Sequence, residues 1–414
     1  MIIWIVNPFD QLPNETDVQL RYWSLCKTLT KQGHDVIWWS SDYSHLTKTK
    51  REPCLETDGF SIRLIETPPY KKNISFARLR NHKEFANGFY REAMKSMENK
   101  ELEAPDRIVV SLPPLGVAEQ AFKIRDQINQ SLSTTSPGSC QVIVDVMDAW
   151  PENFYQLIPK PLNNFLGPIL FSGLRKSSKR AYCYADKISA VGQSYIKLSK
   201  RYGAKSPTHL CYHGTDLSRF SQKHHSPTRT GLLKAVYLGA MGSGYDLQTL
   251  IDVAKRWKAE GQFPWQIHFA GQGAQLVSLK AQSHALGLDI DKRIIIHDYL
   301  QKDAVEKLLG SADIALVPNC PSSLVACPYK ASEYAAAGLP MLSCLGGELN
   351  QLLAHWEAGS AYIEGDAASL QAAFENYTSN PEVLKQQSLN ARNMAEALFD
   401  RKQSYQQMIE FFLT

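Results

Sequence analysis

The segment PYKASEYAAAGLP at 328–340 sets a lysine and a glutamate three positions apart, Lys330 and Glu333. On a helix that spacing puts both side chains on one face. There the ammonium can neutralise a diphosphate, and the carboxylate can accept hydrogen bonds from two ribose hydroxyls. A Lys/Glu pair of this kind is ordinarily a surface ion pair of small worth. This one follows an apolar run at 314–318 that reads as a strand, so its helix starts at the edge where parallel sheets bind ligands.

Two glycine-bearing loops precede it. LGAMGSGYD at 238–246 carries Gly239, Gly242 and Gly244, and FAGQGA at 269–274 carries Gly271. Each joins an apolar run to a helical pattern. Such glycines either serve a tight turn or let backbone N–H groups approach a phosphate at a helix N-terminus. On the second account the N–H groups of Gly242 and Ser243, with the Lys330 ammonium, would meet charge building on a leaving diphosphate. No Lys or Arg lies within 238–248 to share the work.

The elements that position these residues are short apolar runs alternating with helical stretches, the pattern of a parallel α/β sheet. In the first half, strands are expected at 2–6, 34–40, 62–66, 107–111, 141–146 and 187–191. A helix is expected at 17–32, closed by Gly33. In the second half, strands are expected at 235–239, 265–271, 293–297, 314–318 and 340–343, with helices at 247–261, 274–287, 302–311 and 331–337. This gives an α/β chain of two Rossmann-like domains, 1–212 and 213–390. A C-terminal helical segment, 391–414, is expected to pack back on the first. The polar stretch 212–229 marks the boundary, and SLSTTSPGS at 131–139 reads as a loop.

Length and composition agree. The chain has 414 residues, suited to two domains, with 44% hydrophobic and 21% charged residues, so neither disorder nor a fibre is indicated. The net charge of +4 is uneven, +7 over 1–210 (28 Lys+Arg, 21 Asp+Glu) and −3 over 211–414 (17 and 20). The basic half suits an anionic partner or reflects chance asymmetry. Eight cysteines with no CxxC pair read as reduced thiols in the cytoplasm. The opening apolar run stops at Asn7-Pro8 and reads as a strand rather than a signal peptide. No run approaches a membrane span.

In the first half, Asp148 follows the strand QVIVDVM. It either orients or deprotonates a hydroxyl, or caps the next helix. Arg21 and the loop of Asn14 and Glu15 are candidates to meet an acceptor or a phosphate, although Arg21 fits a solvated helix residue equally. His45 and His82 are further candidate contacts. Residues 165–180, FLGPILFSGLRKSSKR, read either as a basic amphipathic helix on an anionic membrane or as a helix packed on the sheet with a basic outer face. The cluster Lys71, Lys72, Arg78, Arg80 and Lys83 adds to the membrane account. Asp289-Ile-Asp291 has the spelling of a metal-binding pair but precedes a strand, and reads as a turn. No metal is implied, and no nucleic-acid module is present. No G-x-G-x-x-G opens the first βα turn, which disfavours a dehydrogenase.

Taken together, YLGAMGSGYDLQTLI (237–251), IHFAGQGAQ (267–275), HDYLQKDAVEKLLGSADIALVP (297–318) and PYKASEYAAAGLP resemble the C-terminal domain of retaining GT-B glycosyltransferases. The likeness is closest to family 4, among bacterial enzymes of polysaccharide and lipid-linked glycan synthesis. It spans about 213–345. HDVIWWSS, DAWPE (148–152), ADKISAVGQSYI (185–196) and the linker-like HGTD (213–216) with Phe220 are similar to elements of the same family. Where many members carry the first of two glutamates eight residues apart, this chain has Val325; a subset with the P-x-K-x-x-E-Y pattern also lacks that glutamate, and this chain fits the subset. Many members also hold the diphosphate with an Arg and a Lys near the first glycine loop, which this chain lacks.

The resemblance implies a GT-B fold, with two parallel sheets facing across a cleft, and transfer from a nucleotide-diphosphate sugar, UDP being the default. It implies retention of configuration, a base read by backbone near Tyr299 and Leu300, no metal and no cofactor. The backbone around Glu348, after Gly346-Gly347, is a further candidate donor contact. The acceptor would be a glycan, a lipid-linked molecule or a small hydroxyl compound, met in the cytoplasm or at the inner face of a membrane. Two other functions remain open: a GT-B epimerase of sugar nucleotides, and a non-catalytic sugar-nucleotide-binding scaffold subunit.

Overall fold

A computed structural model describes residues 1–54, 57–131, 139–159, 162–220 and 232–414. Most of the 131–139 loop, and residues 221–229 of the boundary stretch, lie outside the described residues. The chain divides into two compact units: Met1–Cys211 with Tyr405–Thr414, and Tyr212–Ser404. Of the segment expected to pack on the first domain, only residues 405–414 join it, and 391–404 stay with the second unit.

Among the described residues, the first unit is built on seven parallel strands: β1 (Ile2–Val6), β2 (Asp35–Ser41), β3 (Ser61–Ile65), β4 (Arg107–Leu112), β5 (Gln141–Val146), β6 (Lys187–Ala190) and β7 (Thr208–Leu210). Their order is β3-β2-β1-β4-β5-β6-β7. Side chains of period two divide between the faces. Ile3 and Ile5 join Leu25 and Leu29 of helix Arg21–Lys31 in one core, and Met408, Ile409 and Phe412 of the last helix close it. Trp4 turns the other way, against Trp39 and Phe89. The C-terminal helix Arg401–Leu413 ends on two cations. Arg107 donates to the carbonyls of Phe412 and Leu413, and Lys187 to that of Phe411, satisfying the open end of the helix.

The second unit holds, among the described residues, six parallel strands: β8 (Leu233–Leu238), β9 (Trp265–Ala270), β10 (Ile294–His297), β11 (Ile314–Val317), β12 (Met341–Ser343) and β13 (Gly359–Ala361). Their order is β10-β9-β8-β11-β12-β13. Its core centres on Trp257, Trp265 and Phe374, whose rings lie 5.0–5.1 Å apart at their contacts. In each unit the chain builds outward from a first strand in one direction, then returns to build in the other. The reversal falls between β1 and β4, and between β8 and β11. Ligands of open parallel sheets bind beyond the strand ends at such reversals. Among the described residues, no helix is long and apolar enough to cross a membrane.

Candidate functional site

In the second unit a cavity of about 360 Å³ opens at the β8/β11 reversal. Its wall takes in Leu238 at the end of β8 and Gly239 after it, Val317 at the end of β11 and Asn319 beyond it, and Tyr329 and Lys330 of the following helix. That helix, Tyr329–Ala336, has no acidic residue in its first turn, where a carboxylate would suit the macrodipole. It carries Lys330 there instead, an arrangement that favours an incoming anion. Tyr334 fastens the helix to β8, accepting from Leu238 N–H at 2.7 Å and donating to Leu238 O at 3.3 Å.

Lys330 Nζ lies 2.7 Å from Glu333 Oε2. The lysine side chain is 38% exposed and the glutamate 3%. Glu333 Oε1 meets Arg219, which also binds Glu306 at 2.7 Å. Burial works against the Arg219 charge, but the bond to Glu306 and the field of Glu333 outweigh it and raise its pKa. Sequence reasoning missed Arg219 because it lies on a 3₁₀ turn, Leu217–Arg219, far from the helix in sequence. The chain thus supplies a second cation from the 213–220 segment, although none lies within 238–248.

The two glycine loops are pressed together. Gly239 N–H donates to Ala270 O at 3.0 Å, and Met241 N–H to Gln272 O at 2.8 Å. A Cβ on Gly271 would stand 1.9 Å from Gly239 O, and one on Gly273 would stand 2.4 Å from Met241 O. Gly271 therefore answers to loop packing. Gly242 is different, since a Cβ there would meet nothing within 4 Å. Among the described residues, the N–H groups of Gly242, Ser243 and Gly244 donate to no protein acceptor. Tyr299 and Leu300 follow β10, at the sheet edge, and do not line the cavity. Asp289 and Asp291 sit in the turn before β10, at the opposite end of the strands from the cavity. Glu348 opens helix Gly347–His355 and accepts from the Tyr212 hydroxyl at 2.6 Å.

In the first unit, side chains from five segments converge beyond the carboxyl ends of the strands. Phe9 follows β1, His45 β2, Tyr70 β3 and Asp148 β5, while Arg78 and His82 come from helix Phe76–Glu98. Phe9 meets His45 and His82, ring centres 5.4 and 5.3 Å apart. Trp150 faces His82 at 5.4 Å, and Arg78 lies over Trp150 at 5.7 Å. Arg78 Nε donates to His82 Nε2 at 3.3 Å, which requires a neutral imidazole there. Burial, then the charges of Arg78 and His45, push the His82 pKa down to about 3. Burial, Arg78, Lys48 and Arg51 push His45 down to about 4. Neutral bases among fixed cations favour a ligand that offers hydroxyls or negative charge.

Asp148 accepts from Ala149 N–H at 2.9 Å and from the Asn153 amide. It is not a helix cap, because Pro151 holds that position for Glu152–Tyr155. Burial raises its pKa above the ordinary carboxylate value against the pull of these bonds and of Arg78. The structure corrects Arg21, which meets neither an acceptor nor solvent. It is 3% exposed and forms a bidentate pair with buried Asp145, at 2.8 and 3.0 Å. Glu15 is drawn to Arg51 at 3.2 Å and caps Leu12 N–H. Asn14 is exposed and reaches the carbonyls of Glu52 and Pro53. Neither joins the cluster around His45.

Residues 218–394, within the second unit, match the family model of glycosyl transferases group 1. No curated protein sequence matches the chain. Solved structures match over nearly its whole length. Sucrose-phosphate synthase from Thermosynechococcus elongatus has a TM-score of 0.70 at 15% identity, covering 99% of this chain and 98% of its own. Anabaena HepE, solved with UDP and glucose, has a TM-score of 0.66 at 16% identity, covering 99% of each chain. The lipopolysaccharide-synthesis glycosyltransferase WaaG has a TM-score of 0.63 at 14% identity, covering 100% and 99%. At these identities the likeness is one of fold, the GT-B fold with its two Rossmann-like domains.

Proposed function

We propose that the protein transfers a sugar from a nucleotide-diphosphate sugar, UDP in the first instance, to a hydroxyl acceptor. The observation that carries this is Lys330, a cation in the first turn of a helix at the β8/β11 reversal. The unengaged N–H groups of Gly242 and Ser243 lie in the loop that leaves the same reversal. Preorganised donors of this kind stabilise charge on a departing diphosphate. The family match over 218–394 supports the reaction class. HepE, solved with UDP-glucose, supports the donor.

In this account Lys330 turns from Glu333 to the diphosphate. Glu333, still held by Arg219, takes the ribose hydroxyls. Tyr299 and Leu300 would read the base only if their loop reaches the donor from β10. The first unit supplies the acceptor groups, with Asp148 orienting or deprotonating the hydroxyl and His45 near it. Transfer proceeds with retention, as the family resemblance implies, and without a metal, the cations and amides already named providing the charge stabilisation. Surface glycan or glycolipid synthesis is the setting.

The test is a thermal-shift panel of UDP, GDP, ADP and CMP in EDTA, on wild type and Lys330→Ala. One nucleoside diphosphate should raise Tm, and the variant should lose the response. If no nucleotide shifts the wild type, and a direct binding assay agrees, the proposal fails.

A further inference from the structure

The first unit exposes a cluster of apolar side chains that its fold does not use. Phe76 is 91% exposed, Phe165 71%, Leu170 66% and Ile74 61%. Helix Asn163–Leu170 is turned this way by Gly167, where a Cβ would stand 2.6 Å from the Tyr155 ring. With that side pressed on Tyr155, Phe165 and Ile169, one turn apart, stand in solvent. Beside them a groove of about 730 Å³ runs between the start of helix Phe76–Glu98 and the pair Asn163–Leu170 and Ser172–Tyr184. Ile74, Phe76, Leu157, Phe171 and Leu174 line it, and Trp150 and Arg78 of the ring cluster stand in its wall.

The charge around the groove is mainly positive, its acidic neighbours being Glu119, which meets Arg180, Glu152, which accepts from the Tyr202 hydroxyl, and Asp148, near Arg78. The described residues of the two segments that form it, 67–83 and 153–185, contain nine Lys and Arg residues and no Asp or Glu. On the second helix of the pair, Arg175, Lys176 and Lys179 join Arg201 around a separate pocket of about 350 Å³. Apolar side chains next to fixed cations match the two layers of an anionic bilayer, acyl chains below phosphates. Exposed apolar clusters of this kind mark interaction surfaces. An anionic leaflet attracts clustered Lys and Arg beside an apolar face.

We propose that this face docks on an anionic membrane surface, with Phe76, Phe165, Ile169 and Leu170 entering the interface and Lys71, Lys72, Lys176 and Lys179 meeting lipid phosphates. Because Trp150 and Arg78 belong to both groove and ring cluster, docking sets the candidate acceptor groups beside the lipid. Resting on the proposed sugar transfer, this makes the acceptor lipid-linked.

The measurement is co-sedimentation of the full chain with vesicles of phosphatidylcholine, alone or with about one-third phosphatidylglycerol to supply the anionic surface. Wild type should bind the anionic vesicles and release with salt. Ile74→Ser/Phe76→Ser and Lys176→Glu/Lys179→Glu should each weaken binding about tenfold or more. Both variants should keep the wild-type Tm and nucleotide response, which separates loss of docking from loss of fold or of the donor site. Wild type that ignores anionic vesicles overturns the inference. So does a concentration-dependent dimer that Ile74→Ser/Phe76→Ser abolishes, because the face then belongs to a second copy. A missing nucleotide response with intact vesicle binding would sink the sugar-transfer reading and leave the docking face standing.

Discussion

Arg219 reaches Glu333 across 114 positions of sequence, its Nη1 3.4 Å from Glu333 Oε1. The contact gives the nearly buried carboxylate a fixed partner that does not depend on Lys330. A carboxylate held by one cation can release the other, which a lysine must do to meet a diphosphate. Arg219→Ala should therefore leave Glu333 bound to Lys330 alone and hold the lysine back. We expect UDP affinity to fall about tenfold, or roughly 1.4 kcal/mol, by isothermal titration. Tm should fall modestly, because Glu306 also loses its partner. Unchanged affinity would confine Arg219 to a structural part.

Asp148 → Asn keeps the size of the side chain and removes its basicity. If Asp148 takes or orients the acceptor proton, kcat should fall by about 10²–10⁴. The UDP response of the second unit should stay at the wild-type value. Burial already lifts the Asp148 pKa above its ordinary value of 3.8, so the acid limb of the pH–rate profile should sit above that value in the wild type. A variant with wild-type kcat would remove Asp148 from the chemistry.

Most of the sheet was legible because its central strands are apolar runs between turn residues, and every expected strand is present. The two unanticipated strands are the edge elements β7 and β13, of three residues each. Gly359-Ser-Ala361 has no apolar side chain larger than alanine to signal a strand; it pairs because Gly359 lets its backbone close on Met341. The Lys330 helix was legible for a local reason, the spacing of two charged residues after a strand. Arg219 and the ring cluster of Phe9, Arg78 and Trp150 were not, since only the fold brings their segments together. Arg21 misled for the converse reason. A helix pattern does not reveal that Asp145, on a strand 124 residues away, will bury its guanidinium.

Acid should destabilise the first unit. His82 and His45 have pKa values of about 3 and about 4 in the fold, below their ordinary 6.5. Between pH 7 and 5 the unfolded chain binds a proton at each and the folded chain does not. Stability is fully present above about pH 6.5 and is lost as pH falls. Asp10 works the other way. Burial raises it from 3.8 to about 6, so the folded chain binds a proton there before the unfolded chain does. Asp148 is raised likewise, but His34 and His209 are lowered with His45 and His82, and four histidines against two carboxyls leave a net loss. His82→Gln should flatten the dependence of urea stability on pH by one proton near pH 5, about 1.4 kcal/mol per pH unit. An unaltered slope would mean that folded His82 takes up its proton like an exposed histidine.

The glycine loops allow packing and ligand approach to be separated by two alanine substitutions. At Gly271 the backbone is left-handed, with φ at 144°, and a Cβ would collide with the Gly239 carbonyl. Gly271→Ala must push the two loops apart, at a cost of about 2–3 kcal/mol and a clear drop in Tm. At Gly242 the added methyl meets no atom within 4 Å, so stability should stay within about 0.5 kcal/mol of wild type. The methyl then stands beside N–H groups that the protein leaves unengaged, in the space a phosphate would use. Gly242→Ala should weaken UDP binding while Tm without ligand holds. If Gly242→Ala binds UDP as well as wild type does, the diphosphate lies elsewhere, and Lys330 alone remains as its candidate partner.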